Sequence, residues 1–115
     1  MTAITRTLHA RSTAQATADV WVPAATPSFE GHFPGGPVLP AVTQLHDVVL
    51  PAVREAWPDL SGLRRATRLK FRRPVGVDTA LTLRMERRGD TVTFSLDHRG
   101  EPVSLGTLAF AQEPP

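Results

Sequence analysis

Residues suited to acid–base chemistry cluster in one stretch, FEGHFPGGPVLPAVTQLHDVVLPAV, which runs from Phe29 to Val53. His32 lies in a Phe-Pro-Gly turn, His46 follows fourteen residues later, and Asp47 is the next residue. An imidazole titrates near neutral pH and can therefore remove a proton, and a proline-glycine turn would hold its ring in a fixed direction. The stretch predicts a general base at His32, with His46 and Asp47 as candidates for the acid.

Composition narrows the classes of function. A chain of 115 residues with 41% hydrophobic residues is long enough for one domain, which we expect to span residues 1–115. The sequence has no cysteine, which excludes disulfides and thiolate chemistry and favours the cytoplasm. No apolar run approaches the roughly 18 residues of a membrane span, and no histidine pair has metal-ligand spacing. We therefore expect no membrane, no metal and no redox cofactor.

The elements that must position these residues follow from periodicity. Apolar residues alternate from Ile4 to Val22 and predict one or two half-buried strands that turn near Arg11-Ser12. Prolines and glycines then exclude regular structure up to Pro40, where a helix is expected to begin. The helix is predicted to bury one stripe and to end at Pro58-Asp59, with a kink or restart at Pro51. The stripe comprises Val42, Leu45, His46, Val49 and Val53.

The remaining sequence predicts strands joined by tight turns. The segments are LRRATRLKFRRPV, TALTLRMERR, TVTFSLDH and EPVSLGTLAFAQ, with turns at Gly89-Asp90 and Arg99-Gly100. In the first segment one predicted face carries Arg65, Thr67, Leu69 and Phe71, and the other carries Arg64, Arg68, Lys70 and Arg72. Consecutive hairpins imply an antiparallel sheet. The predicted fold class is α+β, with the sheet wrapped around one long central helix.

The motif GHFPGGPVLPAVTQL resembles the signature of the hot-dog-fold 3-hydroxyacyl-acyl-carrier-protein dehydratases, and it is closest to the short aryl-polyene and polyketide types. The resemblance extends to LKFRRPV and GEPVSLGTLAF. It implies a dimer with two sites at its interface, in which His32 removes the α-proton and an acid on the partner's helix protonates the departing hydroxyl. Phe33, Gly35, Pro40 and Ala41 are then expected to bind substrate, with the Ala41 N–H polarising the thioester oxygen. The acyl chain would be carried on phosphopantetheine, with no other cofactor.

Two residues depart from that family pattern. Ala41 replaces a glycine, and His46 occupies the position of the family's carboxylate. Asp47 cannot simply replace it, because one residue on a helix is about 100° of rotation. Three interpretations stay open: a protonated His46 is the acid, Pro51 or Ala41 shifts the helix so that Asp47 enters, or a related partner chain supplies the acid. The third makes this chain one subunit of a heterodimer or a non-catalytic acyl-binding subunit; a thioesterase is disfavoured by the motif.

A basic stripe runs from Arg64 to Arg73 without an acidic residue. Its ordinary interpretation is a solvated strand face. Because acyl carrier proteins are acidic, the resemblance gives the stripe a second role as a docking surface. Four of its residues are the candidates: Arg68, Lys70, Arg72 and Arg73. Nucleic-acid binding is not expected, because aromatic residues do not interleave with the arginines.

Overall fold

The structure is a computed structural model and describes residues 4–23, 39–76 and 78–112. One six-stranded antiparallel sheet has the order β1-β2-β4-β5-β6-β3, and a helix covers one face. The strands are β1 (Thr5–Arg11), β2 (Gln15–Val22), β3 (Leu60–Phe71), β4 (Thr79–Arg88), β5 (Thr91–His98) and β6 (Glu101–Gln112). The α+β prediction is confirmed, as is the first pair of strands with its turn after Arg11.

The hydrophobic core lies between the helix and the inner face of the sheet. Alternate residues of β2, β4, β5 and β6 are buried against it, and they include Leu83, Phe94 and Leu108. The predicted hairpins of the last three strands are confirmed by continuous pairing. Arg99 and Gly100 both have positive φ in the turn between β5 and β6, which is the backbone that a two-residue hairpin turn requires.

The strand β3 differs from its prediction. It begins at Leu60 rather than Leu63, and its pairing with β6 shifts register, so that Arg68 and Leu69 lie opposite Gly106 alone. Arg68 has φ 55°, as a bulge residue can. A Cβ at Gly106 would lie 2.5 Å from Leu69 Cδ2, so glycine is what allows Leu69 to approach.

The bulge in β3 reverses the faces of the residues that follow it. Thr67 pairs with half-buried Thr107, whereas Phe71 pairs with the fully buried Ser104. The predicted common face of Arg65, Thr67, Leu69 and Phe71 is therefore wrong, because the extra residue shifts the two-residue alternation. As β3 is an edge strand, Leu69 and Phe71 remain 37% and 41% exposed in the single chain.

The central helix consists of three consecutive segments: α1 (Ala41–Thr43), a π-helical turn (Gln44–Val49) and α2 (Leu50–Ala56). A π-turn is defined by N–H groups that donate to the carbonyl five residues back, as Leu50 N–H does to Leu45 O. Its buried residues keep this five-residue step: Thr43 and Gln44 are followed by Val48 and Val49, then by Ala52 and Val53 four residues on.

The predicted buried stripe of the helix is therefore only half right. Val49 and Val53 are fully buried, but Val42 is 67% exposed, Leu45 is half-buried and His46 is exposed. The spacing prediction assumed a uniform α-helix, whereas the wider turn rotates less per residue and moves the upstream residues off the core face. The helix continues through Pro51, where a kink or restart is predicted, and its α-helical segment α2 begins one residue before the proline.

The C-terminal end of the central helix is tied to the hairpins beneath it. Trp57 Nε1 donates to Ser12 O at 3.0 Å, and Arg11 Nη1 contacts Ala56 O at 3.4 Å. Arg87 forms two hydrogen bonds with the Asp59 carboxylate, at 2.8 and 2.6 Å. The hydrogen bond from Arg87 lowers the pKa of Asp59, and the same pairing raises the pKa of Arg87.

This pairing predicts an acid-sensitive part of the stability. A carboxylate whose pKa is lowered in the folded state stabilises the protein above its unfolded pKa of about 3.9, and this contribution is lost as pH falls through the folded value. The loss in unfolding free energy caused by Asp59→Asn should therefore be full at pH 6 and shrink below about pH 4. Urea unfolding at a series of pH values measures it.

Asp90→Asn is the matched control for this experiment, because Asp90 is exposed and forms no ion pair with a residue that the structure describes. Its effect should vary less between pH 6 and pH 3. The account is wrong if the two substitutions show the same dependence on pH.

Candidate functional site

The predicted site falls into two parts. His32, Phe33 and Gly35 lie in residues 24–38, outside the described residues, so their roles stay predictions. Pro40, Ala41, His46 and Asp47 lie on the central helix or immediately before it and are described. The geometry of the site is therefore argued from the helix and from the elements that contact it.

The start of the helix presents backbone donors. Pro40 precedes it in an extended conformation, with φ −59° and ψ 150°, and Ala41 is the first helical residue and is exposed. Among the described non-glycine residues only Arg68, Asp78 and Arg99 have positive φ, so the replacement of glycine by Ala41 brings no such strain. The first N–H groups of a helix have no acceptor within it, and they suit an oxygen that gains negative charge.

Hydrogen bonds join this helix start to the segment between β3 and β4 and hold its first turn together. Leu39 N–H donates to Val75 O at 2.7 Å, and Gln44 N–H donates to Pro40 O at 3.0 Å. The Gln44 side chain also reaches back, its Nε2 donating to Leu39 O at 3.1 Å. Gln44 is 3% exposed, and its Oε1 has no hydrogen-bond partner in the structure as described. Sequence patterns gave no signal for Gln44, because glutamine is usually exposed.

His46 and Asp47 lie side by side in the π-turn, and both are exposed in the single chain. The helix face that carries them is thus not covered by the chain's own core. The structure brings both candidate acids to one surface, and it places them in the widest turn of the helix.

An arginine of the first strand contacts this turn. Arg6 Nη1 donates to the main-chain oxygen of Asp47 at 2.8 Å. That oxygen would accept the N–H of residue 51 in a regular α-helix, but Pro51 has no N–H, and its ring also clashes with that carbonyl. Arg6 thus supplies a donor where the proline removed one. Sequence analysis missed Arg6, because its position as the second residue of β1 gave no hint of the helix above it.

The candidate docking residues lie along or just beyond the edge strand β3. Arg68, Lys70 and Arg72 are exposed and form no ion pair with a described residue, whereas Arg73 pairs with Glu101 at 2.6 Å. The main-chain N–H groups of Arg72 and Arg73 donate to Val103 O, and Val75 O accepts from Leu39. Arg72 and Arg73 are therefore the candidates closest in sequence to Val75, the residue that contacts the start of the helix.

Polar groups elsewhere belong to the outer side of the sheet. Asp97 accepts from Arg84 Nε at 2.7 Å and from Ser95 Oγ at 2.6 Å, and His9 hydrogen-bonds Asp19 across β1 and β2.

Within the described residues, no three histidine or acidic side chains converge as a metal site would require. No helix among them is long and apolar enough to cross a membrane.

Solved structures show what this fold is similar to. The dehydratase heterocomplex ApeI:P from Xenorhabdus doucetiae matches with TM-score 0.79 and 23% identity, over 94% of this chain and 99% of that one. An uncharacterized protein from Erwinia carotovora subsp. atroseptica matches with TM-score 0.76 and 21% identity, over 94% and 97%. A hypothetical thioesterase with coenzyme A from Streptococcus pneumoniae TIGR4 matches at TM-score 0.66 and 12% identity, over 96% and 89%.

The family assignment comes from the sequence. The family model of the ApeI-like proteins, described as ApeI dehydratase, matches residues 8–107, which include the His32 motif, the central helix and most of the sheet. The resemblance noted from the motif is thus confirmed, and so is the predicted hot-dog fold. The chain belongs to the ApeI-like dehydratase family of hot-dog proteins.

Proposed function

We propose that the chain removes water from 3-hydroxyacyl groups held on an acyl carrier protein and yields trans-2-enoyl groups. The C–H bond at the α-carbon and the C–O bond at the β-carbon break on the same side of the chain, a double bond forms, and water leaves. The oxidation state of the substrate as a whole does not change, so the reaction itself calls for no redox cofactor. Fatty acid, aryl polyene and polyketide assembly all use this step.

The exposed face of the central helix is the observation that carries this proposal. His46 and Asp47 lie on that face, at the acid region of the family motif, and the single chain leaves them uncovered. A dehydration site must exclude water from its carbanion-like intermediate, so such a region requires a cover. A second hot-dog chain is the cover that the family resemblance implies.

Each site residue has a distinct role in the proposed reaction. His32 takes the α-proton, and the N–H of Ala41 faces the thioester oxygen, where charge develops. Phe33, Gly35 and Pro40 shape the mouth of the acyl slot. A group of the acid region gives its proton to the hydroxyl that leaves as water. The role of Ala41 is supported by its position as the first residue of the helix and by its backbone, which does not have a positive φ.

The edge of the sheet supports a paired assembly. β3 ends the sheet, is twelve residues long and exposes Leu69 and Phe71. An edge strand presents unpaired main-chain N–H and C=O groups that can pair with another chain, and the sheets of two such chains would then join side by side. We propose a dimer of this kind, either of two copies or with a related hot-dog chain that carries its own acid.

His46 gives a second candidate function a specific basis. If neither His46 nor Asp47 delivers a proton, the site that contains this helix is inactive, and the chain acts as the acyl-binding or stabilising subunit of a heterodimer. His32 would then still complete the other site with the partner's acid. The two candidates differ in whether the chain alone is active.

The basic stripe is proposed to dock the carrier protein. Arg72→Glu should lower kcat/KM for carrier-bound substrate about tenfold, because it reverses a charge close in sequence to Val75, which contacts the helix start, and should affect a short thioester mimic less. Raising the salt concentration should shrink the difference. Steady-state rates on both substrates measure it.

Arg64→Glu is the matched control, because Arg64 is exposed near the start of β3, whereas Arg72 follows the end of that strand. It should leave both substrates nearly unaffected. Equal losses on the carrier-bound and the short substrate, or equal effects of the two reversals, would count against docking at Arg72.

The reaction itself is tested by intact-mass measurement of a 3-hydroxybutyryl carrier protein incubated with the purified chain. We expect the loss of one water, and we expect His32→Ala to abolish it. His98→Ala is the control, since His98 lies at the end of β5 and has no role in the proposal.

The same assay separates the two candidate functions. Activity of the chain alone supports the self-sufficient dehydratase. Activity only after a related hot-dog chain is added supports the heterodimer. Absence of water loss from a folded chain in both conditions contradicts the proposed function.

A further inference from the structure

Successive buried residues in the first part of the central helix are five residues apart, one more than the spacing of about four in an α-helix. Thr43 is 8% exposed and its successor on the core face, Val48, is fully buried five residues later. Gln44 and Val49 repeat this step, and four-residue steps to Ala52 and Val53 follow. The π-turn therefore accommodates one inserted residue and returns the helix to register below it.

This insertion decides which residue takes the acid position. In the family motif the acid lies three residues after the position of Thr43. In a regular α-helix the turn that starts at Thr43 ends at the fourth residue after it, so the acid is the residue just before that end. Here the turn that starts at Thr43 closes at Val48, so the residue before closure is Asp47. Relative to the core face below, Asp47 rather than His46 takes the direction of the family's carboxylate.

Two residues sustain the insertion. Pro51 removes the N–H that would bind Asp47 O in a regular helix, and its ring opposes that carbonyl. Arg6 then donates to the same oxygen at 2.8 Å from β1. The Arg6 Nε is buried and has no acceptor among the described residues, so the guanidinium gives up hydration to make this contact.

We propose that Arg6 is a positioning residue, which holds the Pro51-dependent π-turn so that the Asp47 carboxyl group is the acid of the dehydration. This inference rests on the proposed function for its catalytic part. Its structural part, the dependence of the π-turn on Arg6, stands on the contacts of the helix alone. Asp47 would give its proton to the hydroxyl that leaves as water, and it would recover one from the α-carbon by way of His32 and solvent.

The test compares arginines that both reach from β1 to main-chain oxygens of the same helix. Arg6→Met removes the donor to Asp47 O, and Arg11→Met removes the weaker contact with Ala56 O at 3.4 Å. Arg6→Met should lower kcat about 10- to 100-fold with KM within about twofold, because the acid is misplaced while substrate binding is kept. Arg6→Lys, which keeps a donor, should recover most of the rate, and Arg11→Met should change kcat less than about twofold.

Pro51→Ala tests whether the π-turn depends on the proline. The substitution supplies the missing N–H and favours a regular helix, so it should keep or raise stability while it lowers kcat at least about tenfold. Asp47→Asn should lower kcat as much, and Arg6→Met should add little to it, because residues that act through one another are not additive. His46→Asn should lower kcat less than Asp47→Asn does.

Hydrogen exchange separates failure of the inference from failure of the proposed function. Arg6→Met should speed amide exchange at Val48, Val49 and Leu50 relative to wild type and to Arg11→Met, whether or not the protein is active. If the wild type removes no water but Arg6→Met still speeds exchange at these amides, the proposed reaction is overturned. The role of Arg6 in the π-turn is then still supported. Unchanged exchange, equal kinetic losses in Arg6→Met and Arg11→Met, or full activity of Pro51→Ala would each overturn the inference.

Discussion

The missing amide hydrogen of Pro51 is the constraint on which the rest of the site depends. Without that donor the carbonyl of Asp47 has no partner in a regular helix, and the steric demand of the ring makes the regular turn unfavourable. The chain responds with a π-turn over Gln44–Val49 and with a guanidinium from β1 at 2.8 Å. A single residue outside the motif thereby sets the directions of the side chains that face the acid region.

The helix and the sheet provide different parts of the proposed site. The core face of the helix packs on β2, β4, β5 and β6, and its opposite face leaves His46 and Asp47 exposed. The edge strand β3 carries exposed apolar and basic side chains, and the segment that follows it contacts the helix start through Val75 and Leu39. β3 and the central helix are thus connected. Together they carry the proposed interface between chains, the proposed carrier surface and the acid region, as the proposed dehydratase dimer requires.

Most of the fold followed from the sequence, because the strands after Thr79 alternate cleanly and their turns carry glycine. The motif around His32 led to the family that the comparisons confirm. The failures have specific causes: a bulge at Arg68 reversed the faces of β3, and the π-turn moved Val42 and His46 out of the predicted buried stripe. Arg6 and Gln44 were missed because each donates a hydrogen bond to a main-chain oxygen, and hydrophobic periodicity does not reveal such contacts.

Scalar coupling across hydrogen bonds in isotopically labelled protein tests the central claim most directly, because it reports which carbonyl each amide binds. The account predicts a coupling between the Leu50 nitrogen and the carbonyl carbon of Leu45, five residues back. A coupling from Leu50 to His46 instead, four residues back, would show a regular α-helix. That result would remove the insertion, return His46 to the acid position and contradict the account.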